Sequence, residues 1–209
     1  MNTAKAPQTL ELFTDFVCPW CYLGNAVLSQ VLQDTPLTVQ RTFFPLHPST
    51  PPEGMLISDL LGGRDVDAIH QRLYAEMDKI GLPHGDREYT YNSRLAQELA
   101  LWAETQKEGR PLDALIYQAY FVHDRNIAKP EVLLALVEEA GLDAAAAEEV
   151  LQTRSFSTAV DKAWERARRF GITGIPTFVY GGYATSGYHP PAQLREVIHF
   201  VQEKLEHPR

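Results

Sequence analysis

The chain has 209 residues, 44% of them hydrophobic, and its 19 basic and 27 acidic side chains give a formal net charge of −8. A chain of this length and composition can bury a substantial core, either in one large domain or in a domain with a sizeable insertion. The negative charge and the lack of any long basic run argue against a surface that binds nucleic-acid phosphates.

The first eight residues are polar and include no apolar segment of the kind that directs secretion. No stretch approaches the roughly 18 apolar residues that a membrane span requires. The sequence therefore predicts a cytoplasmic protein, with neither nucleic acid nor a membrane among its partners. No feature of the sequence indicates an oligomeric state.

A strand-like apolar run over residues 10–17 leads into a run with helical spacing that begins near Cys18. The apolar positions of this second run are Trp20, Leu23, Val27, Leu28, Val31 and Leu32. Residues 37–44 alternate in polarity and include β-branched side chains, so they predict a second strand. A crossover of one helix between two strands implies that the strands are parallel.

The two cysteines of the chain lie in one stretch, Cys18-Pro19-Trp20-Cys21, at the predicted helix start. Unpaired N–H groups and the positive end of the helix dipole stabilise a thiolate on the first sulfur there. The second sulfur lies one turn further on, close enough to form a small-ring disulfide. Such a pair exchanges disulfides through a mixed-disulfide intermediate, with Cys18 as the attacking atom. The motif therefore predicts reversible dithiol–disulfide chemistry.

Three other interpretations of the cysteine pair are weaker. A zinc site needs four ligands, and without a second cysteine pair the remaining ligands would have to come from His47, His123 or His189. A structural disulfide in a four-residue ring closes almost no loop, so it adds little chain-entropy stabilisation. In a binding or chaperone module, the packing of the protein would not require the two cysteines to remain as a dithiol. We expect no metal site.

Between residues 55 and 155 the hydrophobic period becomes that of helices, beginning with a run over 66–80. We therefore predict an α/β domain formed by residues 9–54 and 156–209. A large all-helical insertion over 55–155 interrupts it.

An aromatic cluster lies in this helical region, at Tyr117, Tyr120 and Phe121. Such a cluster can form a platform on which a ligand stacks. At helical spacing it is more typical of core packing, and we predict that it belongs to the core.

The stretch Gly174-Ile175-Pro176-Thr177 opens a β-rich run near the end of the chain. Pro176 lies where its missing N–H costs no ladder hydrogen bond, and an X–Pro bond is the kind that can be cis at modest cost. The glycines at 181–182 then predict a two-residue hairpin, which returns the chain beside Pro176. A final amphipathic helix begins at the prolines of 190–191.

These parts together resemble the DsbA-type thioredoxin-fold proteins. The resemblance rests on C-P-W-C at 18–21, on G-I-P-T at 174–177, on the helical region between them and on Ser186-Gly187 before the last helix. Within that family the chain is similar to the FrnE-like branch, which is related to 2-hydroxychromene-2-carboxylate isomerases and kappa-class glutathione transferases. The stretches at 43–48 and 119–122 also match this branch, and the resemblance covers about residues 9–206.

The resemblance implies a thioredoxin-like α/β fold, in which a four-stranded mixed sheet carries the helical insertion. Its third strand runs antiparallel to the first, so that Pro176 faces Cys18. In the family, this cis proline borders the dithiol, and the backbone of the preceding residue, here Ile175, hydrogen-bonds an extended substrate. The isomerase and transferase relatives have serine at the position of Cys18, so the two cysteines of this chain favour thiol–disulfide exchange.

The sequence thus predicts a DsbA-like protein dithiol–disulfide oxidoreductase or isomerase, in which Cys18 attacks and Cys21 resolves. Its substrates are protein or small thiols and disulfides, and no metal, flavin or nicotinamide is expected, since there is no glycine-rich phosphate loop. The alternative is a glutathione-dependent transferase or isomerase of a small molecule, with glutathione as co-substrate. The predicted substrate-binding residues are Pro19, Trp20, Ile175, Pro176, Ser186 and His189.

Three further polar side chains are candidates for the site. Asp15 is either a proton acceptor that perturbs the thiols or, as is common at strand ends, a turn carboxylate. His47, in a proline-rich loop, either approaches the dithiol or is a solvated loop residue. His189 lies at a helix start whose N–H groups can hold a carboxylate, such as the γ-glutamyl end of glutathione.

Overall fold

The predicted strand–helix–strand start is present in the computed structural model, which describes residues 9–106 and 111–206. The three elements are β1 (Thr9–Thr14), α1 (Pro19–Val31) and β2 (Thr38–Phe43). β1 and β2 pair in parallel from their first to their last residues. A parallel pair needs a crossover, and here α1 and a short 3₁₀ turn (Leu32–Asp34) provide it.

The middle of the chain is mainly helical, as predicted. Its helices are α2 (Ile57–Leu60), α3 (Val66–Lys79), α4 (Arg94–Ala103), α5 (Leu112–Phe121), α6 (Pro130–Ala140) and α7 (Ala144–Thr153). A small antiparallel sheet of β3 (Met55–Leu56) and β4 (Tyr89–Thr90) was not predicted. Strands of two residues are too short to show the alternation by which a strand is recognised.

The chain then returns to the sheet through α8 (Ser157–Arg169), β5 (Thr177–Tyr180), β6 (Tyr183–Ser186) and α9 (Pro191–Glu206). β5 runs antiparallel to β1, and β6 runs antiparallel to β5. Gly181 and Gly182 both have positive φ at the turn, as the predicted hairpin requires. The sheet order is β2-β1-β5-β6, which confirms the predicted four-stranded mixed sheet.

The two faces of β1 are packed against different helices. Leu10 and Leu12 belong to a core cluster that also contains residues of α1 and α9. Phe13 faces the other way, with its ring centroid 6.1 Å from that of Phe170, just after α8. This alternation follows from the two-residue period of a strand.

The larger core cluster joins the segment after β1 and the start of α1 to the helices of the middle region. It contains both cysteines and the predicted aromatic core residues Tyr117, Tyr120 and Phe121. The cysteine pair is therefore packed against the helical region as well as against the sheet. The division of the chain at residues 55 and 155 stays a prediction.

A buried carboxyl joins the end of β1 to neighbouring segments. The carboxylate of Asp15 accepts hydrogen bonds from the backbone N–H of Val17 at 3.3 Å and from that of Leu46 at 3.0 Å. The side chains of Ser93 and Gln97, in and beside α4, also hydrogen-bond to it. The bond to Val17 is an Asx turn, which agrees with the predicted turn carboxylate.

Burial raises the pKa of Asp15 to about 6, although its hydrogen bonds act in the opposite direction. The folded protein therefore holds this proton at pH values where the unfolded chain has released it. Stability from such a raised acid is fully present below the unfolded pKa and is lost as the pH rises through the folded pKa.

Asp15→Asn removes this titration. We expect the wild type to lose roughly 2–3 kcal/mol of unfolding free energy relative to the variant between about pH 4 and about pH 7.5. Asparagine has one hydrogen-bond acceptor fewer than aspartate, which changes the free energy of unfolding by an amount that does not vary with pH. Urea unfolding of both proteins at the two pH values measures the difference in unfolding free energy between wild type and variant. If this difference is the same at both pH values, the raised pKa does not belong to Asp15.

A second buried carboxylate, Glu98 of α4, ties the helical region together. Its oxygens lie 3.2 Å from Nε of Arg94 and 2.6 Å from Nη2 of Arg154. Arg94 also pairs with Asp161 of α8 at 2.7 Å. The Glu98 side chain is 0% exposed and that of Asp161 is 61% exposed, so one arginine binds a buried and an exposed carboxylate.

The two carboxylates make a matched pair of substitutions. Glu98→Gln leaves the arginines without a buried counter-charge, and we expect a loss of roughly 2–3 kcal/mol, discounted because both arginines reach solvent. Asp161→Asn should cost less than about 1 kcal/mol because that pair is exposed. Urea unfolding followed by tryptophan fluorescence tests both, and equal losses would refute the distinction.

Candidate active site

The start of α1 separates the two cysteines by burial. Cys18 is the N-cap residue, with φ −87° and ψ 114°, and Pro19 takes the first helical position, where its missing N–H is not needed. Both thiols are free. Cys18 is 3% exposed and Cys21 is 0% exposed, so solvent or a partner reaches the dithiol through Cys18.

The Cys18 thiol lies against the turn that opens β5. Its S–H donates a hydrogen bond to the backbone carbonyl of Ile175, with a sulfur–oxygen distance of 3.7 Å. The Ile175–Pro176 peptide bond is cis, and the carbonyl of Pro176 accepts a bond of 2.7 Å from the N–H of Gly187. The structure thus brings together Cys18, Ile175 and Pro176. Their roles toward a substrate stay predictions.

Gly24 allows this approach. A Cβ atom at Gly24 would lie 3.1 Å from Cγ of Pro176 and 3.5 Å from Cζ of Phe178. Even a methyl group at this position would require Pro176 or α1 to shift by a few tenths of an ångström. Gly24 lies in the helix that Cys18 caps, so close packing of α1 on Pro176 helps to place Cys18 near the Ile175 carbonyl. Gly24 was not predicted as part of the site, since nothing local marks a glycine inside a helix as a contact point.

Two half-buried aromatic rings lie beside the dithiol. Trp20, between the cysteines, stacks on Tyr188 with ring centroids 6.0 Å apart and an interplanar angle of 30°. Tyr188 lies in the connection between β6 and α9, where the hairpin was predicted to return it. Both rings pack against the core cluster that contains Cys18.

Two of the predicted substrate-binding residues, Ser186 and His189, have polar partners within the chain. The hydroxyl of Ser186 lies 2.7 Å from that of Thr177, and Nε2 of His189 lies 2.8 Å from the hydroxyl of Thr185. Pro191 is the first residue of α9, so the helix start lacks the N–H of that position. Binding of glutathione at this end of the sheet stays a prediction.

Cys21 lies in a closed environment at the end of β1. Burial and the neighbouring Cys18 raise its pKa well above the ordinary value, whereas hydrogen bonds from the Thr14 hydroxyl and the Asp15 backbone lower it. The Thr14 hydroxyl lies 2.7 Å from that of Tyr117, and both side chains are buried. Tyr117 was predicted only as a core residue. A buried tyrosine hydroxyl normally has a hydrogen-bond partner, and this signal could have indicated a polar contact.

The remaining candidates contribute less. His47 is half-buried, and this burial lowers its pKa, while its approach to the dithiol stays a prediction.

In residues 9–106 and 111–206, no group of three or more histidine, cysteine or acidic side chains is placed to hold a metal ion. Over the same ranges, no helix combines the length and apolar character needed to cross a bilayer.

Comparison with known proteins gives a family and several structural relatives. Residues 9–199 match the model of the DSBA-like thioredoxin domain. The uncharacterized protein YwbO of Bacillus subtilis (strain 168) is 28% identical over 201 residues, which cover 93% of this chain and 98% of YwbO.

Three solved structures share the fold. A probable DsbA oxidoreductase, SCO1869 of Streptomyces coelicolor, superposes with a TM-score of 0.87 at 24% identity, covering 94% of this chain and 91% of its own. A 2-hydroxychromene-2-carboxylate isomerase gives 0.68 at 19% identity, with coverage of 95% and 94%. The cytosolic disulfide reductase DsbM of Pseudomonas aeruginosa, solved with GSH, gives 0.63 at 21% identity, with coverage of 93% and 99%.

The match to the family model includes the cysteine pair at the start of α1, the Ile175–Pro176 turn and all four strands of the main sheet. The chain therefore belongs to the DSBA-like thioredoxin domain family, and so to the oxidoreductase enzymes.

Proposed function

We propose that the protein exchanges thiols and disulfides with polypeptide substrates, using Cys18 as the nucleophile and Cys21 as the resolving thiol. The observation that carries the proposal is the placement of the Cys18 thiol, 3.7 Å from the Ile175 carbonyl at a helix start. A reacting sulfur beside a backbone acceptor suits a substrate whose own backbone is extended next to its cysteine.

The first step forms a mixed disulfide. The Cys18 thiolate, stabilised by the N–H groups and the dipole of α1, attacks one sulfur of a substrate disulfide. A bond forms between Cys18 and that sulfur, the substrate disulfide breaks, and the other substrate sulfur leaves as a thiolate that takes up a proton. The Ile175 carbonyl accepts a hydrogen bond from the substrate backbone and so holds the attacked sulfur in line.

The second step is intramolecular. The Cys21 thiolate attacks the Cys18 sulfur, the Cys18–Cys21 disulfide forms, and the substrate leaves with both of its sulfurs reduced. Two electrons pass from the enzyme dithiol to the substrate, and a pair of external thiols reduces the Cys18–Cys21 disulfide by the same kind of exchange before the next turnover. These exchanges need neither metal, flavin nor nicotinamide. Run in reverse, the same steps oxidise a substrate dithiol. The direction depends on the reduction potentials of the two pairs.

The surroundings of Cys18 support a polypeptide partner. Trp20 and Tyr188 provide an apolar wall, and the half-buried Ile175 side chain lies on the turn beside it. These surfaces suit the apolar side chains that flank a cysteine in an unfolded chain. Backbone recognition at Ile175 is independent of side-chain identity, so we propose that the enzyme accepts many sequences. A cytoplasmic location stays a prediction.

The alternative function is a glutathione-dependent transferase or isomerase of a small molecule. It is favoured by one observation, that DsbM, which has the same fold, was solved with GSH. In this chain, the intramolecular partners of Ser186 and His189 and the two intact cysteines favour the polypeptide substrate.

Single serine variants test the division of labour between the cysteines. Cys21→Ser should accumulate covalent mixed disulfides with cellular proteins, because no buried thiol releases them. Cys18→Ser should trap none and should lose insulin-reduction activity. Non-reducing gels and mass spectrometry measure the adducts. The two variants carry the same substitution, so each is the packing control of the other. The reverse pattern would exchange the two roles, and equal trapping would contradict the difference in burial.

Substitutions at the end of β6 and in the segment that follows it separate the two functions. Ser186→Ala and His189→Ala should leave turnover of a scrambled protein substrate within about twofold of wild type, because polypeptide alignment depends on the Ile175 backbone. His199→Ala, an exposed position on α9, is the matched control. Rates are measured with the protein substrate and with glutathione-linked small disulfides. A large loss confined to the glutathione assays, in an enzyme nearly inert toward proteins, would establish the alternative.

A further inference from the structure

We propose that Thr177 is a positioning residue for polypeptide substrates, because its hydroxyl holds the turn over residues 174–176 in the shape that presents the Ile175 carbonyl. The inference rests on the proposed function, in which that carbonyl aligns an extended substrate beside Cys18. Thr177 is 1% exposed, so it acts through the turn and not by contact with the substrate.

The Thr177 hydroxyl closes the turn from its C-terminal side. Oγ1 of Thr177 donates a hydrogen bond of 2.7 Å to the carbonyl of Gly174, three residues earlier. The same oxygen lies 2.7 Å from the hydroxyl of Ser186. A carbonyl can only accept, so the single Thr177 proton goes to Gly174, and Ser186 donates the other bond. The bond to Gly174 thus spans the two residues that face the dithiol.

The sheet keeps Thr177 itself in place. Thr177 is the first residue of β5, and its neighbours in the adjacent strands are Phe13 of β1 and Ser186 of β6. A β-branched side chain has few χ1 rotamers available in such a position. The hydroxyl is therefore a fixed group to which the preceding turn is attached.

The turn presents one of its three carbonyls to the dithiol. The Gly174 carbonyl is bonded to Thr177, and the Pro176 carbonyl accepts a bond of 2.7 Å from the N–H of Gly187. The Ile175 carbonyl, between them, accepts the Cys18 S–H at 3.7 Å. A thiol is a weak donor, so the N–H of a substrate can take its place. The internal bonds on either side leave the middle carbonyl for the substrate.

Gly174 depends on this hydrogen bond for its position. Among the described residues, no atom lies within 4 Å of the place that a Cβ of Gly174 would occupy, so packing on that side does not hold it. A glycine also has more backbone freedom than any other residue. Without the Thr177 hydroxyl, the turn keeps the bond at Pro176 and loses the one at Gly174. The Ile175 carbonyl would then point in a less defined direction and bind a substrate N–H less well.

The test compares two disulfides that have the same leaving group. One is a short synthetic peptide whose single cysteine is joined to thionitrobenzoate, and the other is dithiobis(nitrobenzoate), which has no peptide backbone. The Cys18 thiolate of the reduced full-length protein attacks either disulfide and forms a bond to the attacked sulfur, and coloured thionitrobenzoate leaves as a thiolate. Single-turnover rates of this first release, with peptide in increasing excess, give a half-saturating concentration and a limiting rate.

We expect Thr177→Val to raise the half-saturating peptide concentration about fivefold and to leave the limiting rate within about twofold, because the bond at Ile175 is present both in the complex and in the transition state. The rate with dithiobis(nitrobenzoate) should also stay within about twofold. Thr177→Ser, which keeps the hydroxyl, should bind the peptide nearly as wild type does. Thr105→Val is the matched control, since it removes a hydroxyl that donates to the carbonyl three residues earlier, that of Trp102, at 2.6 Å.

A wild type that saturates with the peptide, together with an unchanged half-saturating concentration in Thr177→Val, would overturn the inference and leave the proposed function intact. Equal slowing with both disulfides would also overturn it, because a general structural effect does not distinguish them. If Thr177→Val does not fold, as judged by circular dichroism, Thr177→Ala takes its place with the same expected results. A wild type whose rate shows no saturation with the peptide would overturn both the polypeptide function and the inference.

Discussion

Helix α1 can bring Cys18 up to the Ile175 carbonyl because Gly24 has no side chain where the helix meets Pro176. The other parts of the site depend on this contact. It allows the helix to pack closely on the start of β5. The stack of Trp20 on Tyr188 is a second contact, between α1 and the segment that follows β6.

The polar groups behind the dithiol have separate tasks. The carboxylate of Asp15 accepts hydrogen bonds from the backbone N–H groups of Val17 and Leu46 and so anchors the segment that follows β1. The hydroxyl of Thr14 bonds instead to that of Tyr117 on α5, 2.7 Å away. Two adjacent residues thus connect the end of β1 to two different parts of the chain.

Local signals in the sequence were sufficient for most of the fold and for the cysteine pair. The parallel β1–β2 pair followed from the single-helix crossover, and the hairpin from Gly181-Gly182, because each depends on neighbours within a few residues. The contact between Thr14 and Tyr117 could not be predicted in this way. The two residues are 103 positions apart, and their meeting depends on how α5 lies across the end of β1. The contact of Gly24 with Pro176 could not be predicted for the same reason, since the two residues are far apart in the sequence.

The hydrogen bond from the Cys18 thiol to the Ile175 carbonyl has a consequence for substrate binding. The reduced enzyme occupies with its own proton the acceptor that an extended substrate would use, so the thiol and the substrate backbone compete for one oxygen. In the Cys18–Cys21 disulfide, Cys18 has no proton and the carbonyl is free. An extended polypeptide would therefore bind more tightly to the disulfide state than to the protonated dithiol.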